Sequence, residues 1–274
     1  MMNRDTVFEE TKRVLELINP SAFPESCDYL ESILDEEELF EDDPRAIAAT
    51  LMDSDKPRAF PPAVIEYITA LYQMGIEDGD HRAMNDLGTQ YFGGFRGFEQ
   101  SFRKAVHYYE MAAANGDWQA QENLGYCYYY GRDMEKPDYE KAFHCFALCA
   151  FDGRPVSLYK IGDMYLNGLY VRQNSKEAFL IYRRCLTLLK NGEDNFAAGP
   201  VYLRLGDMYL NGVGTEKNAE YAMTHYQAAE HYLYKMVRDG EVMYKASLRR
   251  AIEGQARARE LLEAALPPEE WTHD

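Results

Sequence analysis

The seven residues GDMYLNG occur at positions 162–168 and again at 206–212. A string of two glycines, a methionine and a tyrosine that recurs in this way marks repeated structural units, and repeats restrict a chain to few architectures. Aligned on this echo, the sequence shows two earlier copies, NDLGTQYFGG at 85–94 and ENLGYCYYYG at 122–131. The first glycines are Gly88, Gly125, Gly162 and Gly206, at spacings of 37, 37 and 44. A tyrosine follows three residues later in each copy (Tyr91, Tyr128, Tyr165, Tyr209), and a second glycine follows at six (Gly94, Gly131, Gly168, Gly212). Ten or eleven residues further on stands an alanine, with an aromatic four beyond it: Ala105/Tyr109, Ala142/Phe146, Ala178/Tyr182 and Ala222/Tyr226. The link DGDHRAMNDLG at Asp78 is matched by NGDWQAQENLG at Asn115.

Each copy reads as two helices. Ala83, Leu87, Gly88 and Tyr91 fall on one stripe at 3.6 residues per turn, and Ala105, Tyr109, Ala112 and Ala113 fall on another. Gly88 and Ala105 are small where two backbones must approach, and the aromatic one turn away fills the space beside them. The second glycine is placed to end the first helix in a left-handed conformation. One such pair cannot bury its stripe alone, so neighbours must stack.

The LG-x-x-Y-x-x-G strings, with Lys104-Ala105 and Lys141-Ala142 ahead of an aromatic, resemble the Sel-one-like repeat family, a relative of the tetratricopeptide repeats. The 17 residues from Gly88 to Ala105 and the glycine at plus six favour this branch over the tetratricopeptide period of about 34. The resemblance covers about Asp78 to Tyr226. Repeat three departs from it by seven extra residues around Asn191–Gly199. The expected fold is all-α, a right-handed α/α superhelical solenoid of helix-turn-helix repeats. Its expected parts are an acidic N-terminal helical segment (1–59), a solenoid of about four repeats behind a cap helix at Pro62–Gly75 (60–240), and a C-terminal capping helix and tail (241–274).

Charge narrows the partners. A net charge of −17 repels nucleic acid and anionic membrane surfaces. The charge is uneven: Glu25 to Asp43 holds ten carboxylates and no Lys or Arg, whereas Lys235–Arg259 holds seven Lys/Arg against three acids. No secretory signal and no membrane span is visible. Five cysteines at irregular spacing do not form a disulfide framework, and a cytoplasmic location is expected.

Catalytic constellations are weak. His144, Cys145 and Cys149 stand on one expected helix, but they are short of ligands for a metal, and Cys149 occupies the packing slot that Ala112 holds in repeat one. No HExxH, Walker loop or G-x-S-x-G occurs. The acidic run Asp35–Glu38 and Glu41–Asp43 lacks the spaced ligands of a calcium loop. No cofactor, no metal and no enzymatic activity are therefore expected. The face of the first helix opposite its core stripe is the expected binding surface. It comprises Arg82, Asn85, Thr89 and Phe92 in repeat one; Glu122, Tyr126 and Tyr129 in repeat two; Tyr159, Asp163 and Leu166 in repeat three; and Leu203 and Asp207 in repeat four. A face expected to be wet is thus aromatic and apolar mid-array, as interface centres are. Asp163 and Asp207, with Lys160 and Arg204 three residues earlier, read either as i,i+3 pairs on an exposed helix or as selectors of a basic peptide. The expected function is a protein–protein interaction scaffold, adaptor or regulatory binder that presents a concave, Tyr-rich, acidic groove to a protein or peptide. A hydrolase on a repeat fold and a self-assembling structural protein are the alternatives. The sequence sets no oligomeric state.

Overall fold

The computed structural model describes residues 4–35, 43–189 and 196–265. Among the described residues the regular elements are helices, as the repeat pattern requires. The chain divides into two compact units, 1–138 and 139–274. The first contains α1 (Arg4–Leu17), α2 (Pro24–Asp35), α3 (Pro44–Asp53), α4 (Pro62–Glu77), α5 (His81–Gly93), α6 (Phe102–Ala114) and α7 (Trp118–Tyr130). The second contains α8 (Tyr139–Phe151), α9 (Pro155–Asn167), α10 (Ser175–Leu189), α11 (Ala198–Asn211), α12 (Ala219–Arg238) and α13 (Lys245–Ala264). The break at 59/60 expected from the sequence falls inside the first unit. Most of the acidic run, and Asn191–Asn195 of the repeat-three insertion, lie outside the described residues.

The helix boundaries follow local chemistry. Asp80 and Asp117, the last residues of the two matching GD links, are the N-caps of α5 and α7 and accept from the amides of Arg82 and Ala120. The second glycine of each repeat closes its helix in the left-handed region, with φ of 61° at Gly94, 64° at Gly131, 67° at Gly168 and 68° at Gly212. Between these signals the first glycine does the packing. A Cβ on Gly162 would stand 2.6 Å from the Tyr182 ring, one on Gly206 2.8 Å from Tyr226, and one on Gly88 2.9 Å from Tyr109. The four alanines of the second helices, Ala105, Ala142, Ala178 and Ala222, are fully buried. Glycine and aromatic thus form one interlocking contact, and the tyrosine fills the groove that the missing side chain leaves.

The three N-terminal helices dock on the first unit's repeat helices. Val7 and Val14 of α1, Ile18 just after it, Leu30 of α2 and Ile47 and Leu51 of α3 share one core with Val64, Ile68 and Leu71 of α4 and with Ala83 and Leu87 of α5. Each such aliphatic side chain contributes about 1.5–3 kcal/mol on burial. Two polar contacts fix the orientation. The Thr11 and Tyr67 hydroxyls lie 2.6 Å apart inside the core. Arg96, just after α5, donates Nε to the Arg58 carbonyl at 2.8 Å and Nη1 to the carbonyls of Leu51, Met52 and Ser54. In the second unit α13 packs against α11 and α12, and its Gly254 lies against the Tyr226 ring.

Candidate protein-binding face

The residue after the first repeat glycine (Thr89, Tyr126, Asp163 or Asp207) faces the aromatic of its own second helix wherever that pair lies within one unit. Tyr109 Oη is 3.2 Å from Thr89 Oγ1, Tyr182 Oη donates to Asp163 Oδ1 at 2.6 Å, and Tyr226 Oη donates to Asp207 Oδ1 at 2.8 Å. A buried phenol requires an acceptor, and this position supplies it. The same carboxylates also reach forward. Arg204 grips Asp163 with Nε on Oδ1 and Nη2 on Oδ2 at 2.9 Å, and Arg250 of α13 donates to Asp207 Oδ2. Burial and the Asp163 carboxylate together hold the Tyr182 phenol well above its ordinary pKa. Burial works against the charge on Arg204, but Asp163 more than restores it and raises its pKa.

These bonds correct the expected acidic face. Asp163 is 3% exposed and uses both oxygens internally, so it is not a surface group for a basic peptide. Arg204 does not pair with Asp207 three residues on; it reaches the preceding repeat instead. Glu122, Tyr159 and Leu203 are also buried, Tyr159 in the core with Ala178 and Tyr182 and Leu203 in the core with Ala222 and Tyr226. Helical arithmetic places all four opposite the stripe, but α11 covers that side of Tyr159 and Asp163, and α13 covers that side of Leu203. Asp207 and Leu166 are half-buried.

The remaining positions stay accessible, and those of the first unit form a continuous feature. On α5, Arg82 is exposed and paired with Asp80 and Asp43, while Asn85 accepts from Asn123 Nδ2 of α7 at 3.1 Å. Phe92 meets Phe102 edge-on at 5.3 Å, and the Arg132 guanidinium lies 5.0 Å over Phe102 and 5.9 Å from the Tyr130 ring. Tyr130 stacks on Tyr126 at 6.2 Å and meets Tyr129 edge-on at 5.0 Å. The result is a ribbon of five aromatic rings from α5 to the end of α7, bridged by one arginine. Its members are half-buried, apart from the exposed Tyr130 and Arg132. Tyr130, Phe102 and Arg132 are functional candidates that sequence reasoning passed over. Tyr130 stands one residue beyond the face as counted, and Phe102 comes from the second helix.

The candidate chemical centre of α8 shows no such assembly. Cys145 and Cys149 are buried, and His144 is exposed with its ring 5.8 Å from Tyr170. All five cysteines are free thiols and buried. Among the described residues no group of three or more His, Cys, Asp or Glu is placed to hold a metal ion, and no helix is long and apolar enough to cross a membrane.

Helix pairs locked by a Gly–aromatic contact and closed by a left-handed Gly define a helix-pair repeat protein. The Sel1 repeat profile matches four segments, 81–117, 118–149, 155–184 and 200–230, and the chain belongs to the Sel1 repeat family. Proteins of this family generally mediate protein–protein interaction. A Sel1 repeat protein from Oxalobacter formigenes is similar in structure, with a TM-score of 0.58 and 18% identity over 93% of this chain and 99% of that one. So is a protective antigen of uropathogenic Escherichia coli that displays an SLR fold, with a TM-score of 0.60 and 19% identity over 85% of this chain. This chain spans 48% of the antigen. The likeness is one of fold, the all-α solenoid of helix pairs. A comparison with curated protein sequences gives no match.

Proposed function

We propose that this protein is a binding adaptor whose recognition surface is the aromatic ribbon of its first unit. The carrying observation is the unbroken run Phe92–Phe102–Arg132–Tyr130–Tyr126, with Tyr129 beside it, in which five neighbouring rings are half-buried or exposed and touch one another in series. Tyrosine, phenylalanine and arginine are enriched at interface centres because they bring large contact area and fixed geometry at low entropic cost. The net charge of −17 steers a basic protein or peptide toward such a surface. Arg82, Asn85 and Thr89 form its polar rim. A reducing compartment such as the cytoplasm suits the five free thiols.

The test places a photo-crosslinking residue at position 130, identifies the partner, and measures its affinity for the purified protein. Tyr126→Ala with Phe92→Ala should weaken binding by about 2 kcal/mol or more, the scale of hot-spot residues, with an unchanged urea midpoint. Undiminished affinity in that folded variant overturns the assignment.

A further inference from the structure

Two helices, one in each unit, carry opposite charge on open faces. α13 is packed on one side, where Ala251 and Ala258 share the core of α11 and α12. On its other side Lys245, Arg249, Ile252, Ala256 and Arg259 follow at steps of 4, 3, 4 and 3 and so form one stripe, with Glu253 at its edge. All five are exposed. Arg250, off this stripe, is paired with Asp207, but among the described residues Lys245, Arg249 and Arg259 have no ion-pair partner. Apolar groups stand out beside these cations: Val242 is 61%, Met243 73% and Ile252 49% exposed. A terminal helix that only capped an array would present a polar outer face. α2 is the counterpart. Its Cys27, Leu30 and Ile33 lie in the first unit's core, while Glu25, Asp28, Glu31 and Asp35 are exposed on the other side. No Lys or Arg occurs from Glu25 to Asp43, and among the described residues no cation lies within ion-pair distance of these four acids. Leu17 and Pro24, exposed as well, flank the connection into α2.

The α13 face therefore calls for an acidic partner with some apolar surface, and the chain carries one itself. The two stripes match in length. Arg249 and Arg259 are ten residues apart, as are Glu25 and Asp35, about 15 Å along a helix axis in each case. A net charge of −17 makes two copies repel unless a positive patch of one meets a negative patch of the other. We propose that α13 docks on α2 of a second copy of this chain, with Lys245, Arg249 and Arg259 against Glu25, Asp28, Glu31 and Asp35, and with the exposed apolar groups covered at the contact. The contact joins different patches of the two copies, so it either closes reciprocally into a pair or continues from copy to copy. It uses no residue of the aromatic ribbon and stands or falls without it.

Sedimentation equilibrium of the full chain over a range of concentrations tests this. At about 0.1 M salt the Debye length is about 10 Å, short enough to mute the net charge but not pairs in contact. The average mass should rise with concentration there, and fall to that of the monomer at about 1 M salt, where screening acts within about 3 Å. Asp28→Lys with Glu31→Lys, and separately Arg249→Glu with Arg259→Glu, should each weaken association about tenfold or more. All four positions are exposed, and an unchanged thermal midpoint checks that each variant is folded. A mixture of the two variants should associate again, because each supplies the sign that the other has lost. A monomer at every concentration, undiminished association in either charge-reversed variant, or a mixture that stays monomeric overturns the proposal, also where α13 captures a short DNA duplex instead.

Discussion

In repeat one the residue after the first glycine is Thr89; in repeats three and four it is Asp163 and Asp207. All three meet the hydroxyl of the second-helix tyrosine, but only the aspartates also hold an arginine from the following element. Between α5 and α7 of the first unit stand a neutral amide pair, Asn123 to Asn85, and a contact of His81 with the Asp117 carboxylate. The second uses ion pairs, one of them buried on its acid side. The contrast separates two jobs that a helix face can do. Where the acceptor is charged, its charge must be answered from within the fold, and the face is committed to packing. Where it is a hydroxyl, the tyrosine is satisfied without a cation, and the surrounding residues keep a half-open surface. The aromatic ribbon occurs in the unit where this position is a hydroxyl.

The comparison is broken most severely by removing a charge. Asp163→Ala leaves the Arg204 guanidinium and the Tyr182 phenol without their acceptor, and should cost about 3 kcal/mol, the low end for a broken buried pair because Arg204 is partly exposed. Chemical unfolding of the full chain measures it. Gly162→Ala comes next, at about 1–3 kcal/mol, because the added methyl meets the Tyr182 ring at 2.6 Å; Gly88→Ala, with 2.9 Å to Tyr109, should cost less. Thr89→Val is the mildest substitution. It removes one neutral acceptor from a buried tyrosine and should cost about 0.5–1.5 kcal/mol.

Alkaline titration distinguishes α10 from α4 with no mutation. Burial raises the Cys185 thiol from 9.0 to about 12 in the second unit, and burial raises the Tyr67 phenol from 10.0 to about 12 in the first. Both are stabilising while protonated. Above its ordinary pKa each group loses its proton in the unfolded chain before it does so in the folded one, so stability is full below that point and is lost as pH rises through about 12. The decline from Cys185 should therefore begin near pH 9 and that from Tyr67 near pH 10. Hydrogen exchange resolved by segment across this range checks the order; earlier loosening in α4 than in α10 would contradict it.

The helix pairs, their caps and their glycine closures are legible in the sequence because each depends on a neighbour fewer than about twenty residues away, and four copies average out chance. The binding face is less legible. Helical arithmetic correctly puts Tyr159 and Asp163 opposite the core stripe, but it is blind to the next pair, which covers that side too. One signal was available. Repeats whose second helix carries tyrosine place Thr or Asp after the first glycine, and the repeat with Phe146 places Tyr126 there. That correspondence marks the position as an acceptor rather than a free surface group. Arg96 had no comparable signal. Its partners are carbonyls at Leu51, Met52, Ser54 and Arg58, and backbone acceptors leave no trace in side-chain identity.

The central claim, that the charged position after the repeat glycine is an internal clamp, is tested most directly by a double-mutant cycle on Asp163 and Arg204. Urea unfolding of Asp163→Ala, Arg204→Met and the double variant should give a coupling of about 2–3 kcal/mol, with the double variant more stable than Asp163→Ala alone. A coupling below about 0.5 kcal/mol would mean that the two residues act independently, and would contradict the account.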